Sequence, residues 1–119
     1  MFLKIDCVML PVADLESAAA FYTQAFGLRR QWQDASSIGM AMPETDAEVV
    51  LHTLDLPPSY GVHYLVTDVD RAVASYRERG GIVRQPPFDV AVGRCAVLAD
   101  PFGNVLCVLD LSRGQRQVP

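Results

Sequence analysis

The chain repeats itself, and that repetition limits its folds more than any other feature. Asp14, Tyr22, Gly27, Arg30 and Gln31 recur as Asp68, Tyr76, Gly81, Arg84 and Gln85, each 54 residues further on, and Leu28 recurs as Ile82. His52 is matched by Cys107 at a spacing of 55, so a one-residue insertion lies between. The stretch Val50 to Leu56 is echoed at the end of the segment Asp100 to Leu111. Two copies of one supersecondary unit therefore fill a chain of 119 residues, and neither copy can cover both faces of its own apolar strands.

Each copy reads strand, helix, then three strands. Leu3 to Val12 is a strand with Ile5, Cys7 and Met9 on one face and Val8, Leu10 and Val12 on the other. Asp14 stands where a helix N-cap belongs, Ala18, Ala19, Tyr22, Ala25 and Phe26 follow at helical spacing, and Gly27 ends the helix. Leu28 to Asp34, Ile38 to Met42 and Glu48 to Asp55 read as strands, with Val50, His52 and Leu54 on one face of the third. Leu56-Pro57-Pro58-Ser59 is the linker. The second copy runs through the strand Val62 to Val66, the N-cap Asp68, Ala72, Val73 and Tyr76 on the helix, and the stop Gly80-Gly81. Asp100-Pro101 with Gly103-Asn104 is a tight turn that sets the register of the last strand. The expected class is α+β, one domain made of a module over about residues 1–56 and a module over about 60–111, with a loose tail at 112–119.

Composition narrows the function. A net charge of −4 and the lack of any Lys/Arg stripe argue against a nucleic-acid partner. No charged-then-apolar leader opens the sequence and no apolar run is long enough to cross a bilayer, so the reading is a cytoplasmic protein without a membrane partner. Cys7, Cys95 and Cys107, odd in number and without a CxxC pair, fit reduced, buried thiols.

Val12-Ala13-Asp14-Leu15-Glu16, then Phe21-Tyr22 and Phe26-Gly27-Leu28, and later Asp100-Pro101-Phe102-Gly103-Asn104, resemble the vicinal oxygen chelate superfamily of glyoxalases, extradiol dioxygenases and bleomycin-resistance proteins. The resemblance runs from Leu3 to Leu111 and implies two tandem βαβββ modules forming a cleft-shaped mixed sheet, and a homodimer. It also implies four metal-ligand positions, which fall on Cys7, His52, Gly61 and Cys107, and the sequence departs from the usual His, Gln or Glu at three of them. Gly61 has no donor, and thiols are not the hard oxygen ligands that Mn²⁺, Fe²⁺ or Mg²⁺ prefer.

Three readings follow. The preferred one is a metal-free cleft that binds a small apolar or aromatic molecule, as in the resistance proteins, lined by Met9, Trp32, Met40, Met42, His52, Leu54, His63, Leu65, Cys95 and Val97, with Phe88 or Phe102 near the rim. The alternative is a lyase or dioxygenase-like enzyme whose Cys7, His52 and Cys107 hold zinc with an open fourth place, His63 lying close by. The third is an interaction or regulatory module whose cleft is filled by its own side chains. No cofactor and no catalytic residue is assigned under the first.

Overall fold

A computed structural model describes residues 1–114; the part of the expected loose tail from Gln115 to Pro119 lies outside the described residues. The chain divides into two compact units, one of residues 7–61 and one in which residues 1–6 join the segment that begins at Val62. Element order is the same in both. The first half runs β1 (Lys4–Pro11), α1 (Leu15–Phe26), β2 (Arg29–Gln33), β3 (Ser37–Met42) and β4 (Thr45–His52). The second runs β5 (Val62–Leu65), α2 (Val69–Glu78), β6 (Ile82–Val90), β7 (Gly93–Ala99) and β8 (Val105–Leu109). Between them Pro58–Tyr60 makes one 3-10 turn, with Pro57 extended just before it and Pro58, whose fixed φ suits a helical start, as its first residue.

Both helices begin as their sequences dictate. Asp14 is extended and its carboxylate accepts from the Ser17 N–H at 3.0 Å, while Asp68 accepts from the Arg71 N–H at 3.1 Å. Gly27 ends α1 at φ 73°, where a side chain would be strained, and its N–H returns to the carbonyls of the last turn.

In the unit of residues 7–61 the strands lie in the order β2-β3-β4-β1, with β1 parallel to β4 and the other pairs antiparallel. Leu28, Ile38, Met40 and Leu51 close over Ala19, with Leu10, Leu15, Tyr22, Met42 and Val49 packed around them. Each large side chain sealed there contributes about 1.5–3 kcal/mol. Arg30 sits over the start of α1, where it makes paired hydrogen bonds to Glu16 at 3.1 and 2.7 Å.

The unit that begins at Val62 repeats this plan as β5-β8-β7-β6, with β5 parallel to β8. Val69, Ala72 and Val73 of α2 pack on Ala96, Leu98 and Val108, and the Tyr76 hydroxyl donates to the Ala99 carbonyl at 2.6 Å. Asp110, just beyond β8 and 2% exposed, fastens the unit. Its carboxylate accepts from the backbone N–H groups of Val69, Arg94 and Ser112 and from the Ser112 hydroxyl. Burial raises the cost of its charge, but these four donors outweigh that and hold its pKa below the usual carboxylate value.

Candidate functional site

Directly opposed residues of neighbouring strands share a sheet face, so the ladders fix what each face displays. In the first unit β1 and β4 pair Cys7 with Glu48 and Met9 with Val50, and β3 brings Gly39 against Val50 and Ser37 against His52. These residues form the face turned away from α1. Cys7, Trp32 and Val50 pack into one apolar cluster there, with Met9 against it.

Trp32 reaches this face through a β-bulge. Arg30 opposes Met40 on the helix side, yet Trp32 opposes Gly39, because the register slips by one residue between them. The indole then lies against the bare backbone of Gly39, in space that any Cβ would occupy. Its Nε1–H donates to both oxygens of Glu48, at 2.9 and 2.8 Å. A half-buried carboxylate is thus held on the apolar face by a charge-assisted hydrogen bond.

His52 closes the end of β4 and is 3% exposed. The Leu54 N–H donates to its Nδ1 at 3.1 Å, so the neutral ring carries its proton on Nε2. Leu54 itself lies beyond β4 and is exposed, and the strand expected to reach Asp55 stops at His52.

In the second unit the face away from α2 carries His63 opposite Cys107, Leu65 opposite Leu109, Val97 opposite Cys107 and Phe88 opposite Cys95. Val92, Cys95 and Leu109 form its apolar cluster, with Phe88 and Val90 beside them. Burial pushes the Cys95 thiol up to about 12, helped by nearby Cys107, and pushes Cys107 up to about 11. Both stay protonated at neutral pH, so neither is a ready nucleophile.

Most residues expected on the ligand-facing side are on these two faces: Met9, Trp32 and His52 in one unit, His63, Leu65, Phe88, Cys95 and Val97 in the other. Met40 and Met42 are not. Both belong to the core under α1, because Met40 opposes Val49 rather than Val50 and thus has the opposite parity to Met9. Phe102 is 84% exposed in the turn before β8. Glu48, which is not among the expected lining residues, also lies on the face of Met9 and Trp32, as its spacing of two from Val50 and four from His52 in the sequence requires.

The sequence profile of the Glyoxalase/Bleomycin resistance protein/Dioxygenase superfamily matches residues 4–108. The chain belongs to this superfamily. Among solved structures, the superfamily member described here resembles methylmalonyl-CoA epimerase from Mycobacterium tuberculosis, with a TM-score of 0.76 and 16% identity over 93% of this chain and 89% of that one. A Streptomyces coelicolor methylmalonyl-CoA epimerase variant in complex with 2-nitronate-propionyl-CoA matches with a TM-score of 0.74 and 18% identity over 94% and 99%. NAD-dependent benzaldehyde dehydrogenase from Legionella pneumophila matches with a TM-score of 0.69 and 18% identity over 89% of this chain and 98% of that one. At such identities the likeness is one of fold. No curated protein sequence matches the chain.

The superfamily's metal positions do not fit a metal well in this member. Gly61 brings no side chain. Cys7 lies opposite Glu48 and His52 opposite Pro11, so the two candidate ligands stand four residues apart along one parallel ladder. That is roughly 13 Å at ~3.3 Å per residue, too far for a thiolate and an imidazole to share one ion. The His52 Nδ1 lone pair is also engaged by Leu54. Among the described residues no group of three or more His, Cys, Asp or Glu side chains is gathered as a metal site.

Proposed function

We propose that the protein binds a small apolar or aromatic molecule on the sheet face turned away from the helices, without a metal, as the bleomycin-resistance members of its superfamily do, and that it acts as a homodimer. The observation that carries this reading is the character of that face. In the first unit Cys7, Met9, Trp32 and Val50 give that face an adaptable, polarisable lining, and the second unit independently shows the same character in Cys95, Phe88 and Leu109. The mismatch between the donor positions and any one metal ion supports the metal-free part. The scaffold's capacity for an organic ligand is supported by the similar S. coelicolor epimerase, which is in complex with 2-nitronate-propionyl-CoA.

Trp32 is the single tryptophan, so its emission reports on this face alone. A thermal-shift screen of flat aromatic antibiotics, followed by Trp32 fluorescence titration of the hits, tests the proposal. A true ligand at 100 times its Kd raises stability by about 2.7 kcal/mol. A screen in which nothing raises the melting temperature or moves the emission would instead favour a face filled by its own side chains, consistent with exposures of only 5% for Trp32 and Val50.

A second reading has one observation in its favour. Glu48, oriented by the Trp32 N–H that it accepts, is a carboxylate placed for proton abstraction on an apolar face. Loss of turnover in Glu48→Gln with retained ligand-induced emission change would establish catalysis over binding; unchanged turnover would discard it.

A further inference from the structure

The helix α1 sends more aromatic surface outward than the sheet covers. Its expected apolar stripe included Phe26, yet Phe26 is 66% exposed and Phe21 58%. These rings do not stand apart. Phe26 meets Tyr22 at a centroid distance of 5.6 Å and 45°, and meets Phe21 at 5.9 Å and 81°, so ring faces and edges form an angled wall. Beside that wall runs a groove of about 510 Å³ lined by Tyr22, Phe26, Leu28, Met42, Pro43 and Glu44. Its volume suits a small organic molecule. Pro43 and Glu44 form the two-residue turn between β3 and β4, closed by the pairing of Met42 with Thr45, so a short, constrained turn sets Glu44 at the groove. Among the described residues no Lys or Arg lines it, and Arg30, near the start of α1, is engaged by Glu16.

We propose that this groove binds an organic cation, a tertiary or quaternary ammonium that carries an apolar group. Ring faces present negative electrostatic potential, and an ammonium within about 6 Å of a ring centroid is attracted to it. Glu44 adds a full negative charge, and Leu28, Met42 and Pro43 accept the apolar portion. An anion would meet the carboxylate and the ring faces together, and a neutral ligand would gain from the apolar residues alone. Charge complementarity therefore selects the cation. Met42 and Leu28 belong to the core under α1, so this site lies on the opposite side of its sheet from Trp32 and does not depend on the function proposed above.

The test is a titration of the full chain with benzyltrimethylammonium, read by amide chemical shifts, alongside choline and its uncharged carbon isostere 3,3-dimethylbutan-1-ol. Expected are saturable shifts at Phe26, Met42 and Thr45, weaker binding of the uncharged isostere than of choline, and affinity lowered by about 2- to 30-fold in Phe26→Ala, the span of a cation–π contact from exposed to desolvated. Glu44→Gln should lower affinity several-fold and reduce its dependence on salt. Both side chains are exposed, so the variants keep the fold, which their melting curves verify. Absence of saturable shifts, equal affinity for choline and the uncharged isostere, or unchanged affinity in both variants would overturn the proposal.

Discussion

The Trp32 indole rests on Gly39 and donates its one N–H to the carboxylate of Glu48, so a bulge, a glycine and an acid on three adjacent strands act as one arrangement. Remove the empty space at Gly39 and the indole must leave.

Gly39→Ala should therefore destabilise the protein by about 1–3 kcal/mol, the usual cost of overpacking a filled interior. Chemical denaturation measures this. Because Trp32 is the only tryptophan, its emission should also shift to longer wavelength in the folded variant as the ring becomes hydrated. Unchanged emission together with unchanged stability would show that the indole does not lie where the geometry puts it.

Asp110 should be the strongest single polar contributor to the second unit. Replacing it by Asn leaves its shape but removes the charge that four donors address, a loss of about 1.5–3 kcal/mol. The pH dependence follows from its depressed pKa. The unfolded chain takes up the proton first as pH falls, near pH 4. The contribution is thus complete above that value and declines as pH drops towards the lower folded pKa. The stability gap between wild type and Asp110→Asn should be full at pH 7 and shrink below pH 4; a gap that stays constant to pH 2 would contradict this assignment.

The helix caps give a smaller, cleaner effect. Asp14→Ala and Asp68→Ala should each cost about 1 kcal/mol, because each leaves the N–H of Ser17 or Arg71 without its acceptor in the first turn. Denaturant midpoints should fall by similar amounts, and the double variant should show additive losses, since the caps sit on different helices.

Thiol chemistry should be silent in the folded protein. All three cysteines are buried, and the raised values of Cys95 and Cys107 leave almost no thiolate at neutral pH. Labelling by a thiol-specific disulfide reagent should proceed only as fast as the chain opens, and it should be complete at once in denaturant. Addition of Co²⁺ should produce no thiolate charge-transfer absorption; strong bands would restore the Cys/His metal site.

How much of this was written locally can be seen residue by residue. The N-caps Asp14 and Asp68, the stop at Gly27 and the order of strands and helices are all legible in the sequence, because each depends on side chains within a few residues of one another. The face carrying Met9 and Val50 was legible too, as strict alternation reveals it. Met40 was misplaced because alternation along β3 gives two faces without saying which one α1 covers. Trp32 required the bulge after Arg30, and no composition signal marks that slip.

The sequence by itself determined that two βαβββ units exist, where each helix starts and which residue types lie on each strand. Only the tertiary structure decided that Cys7 faces Glu48 instead of His52, that Trp32 turns to the side opposite Arg30, and that Phe21 and Phe26 of α1 stay in water. The physical reason is that local signals fix backbone conformation, whereas strand register is set by contacts between residues far apart in the chain. A shift of one residue in that register sends every side chain to the other face.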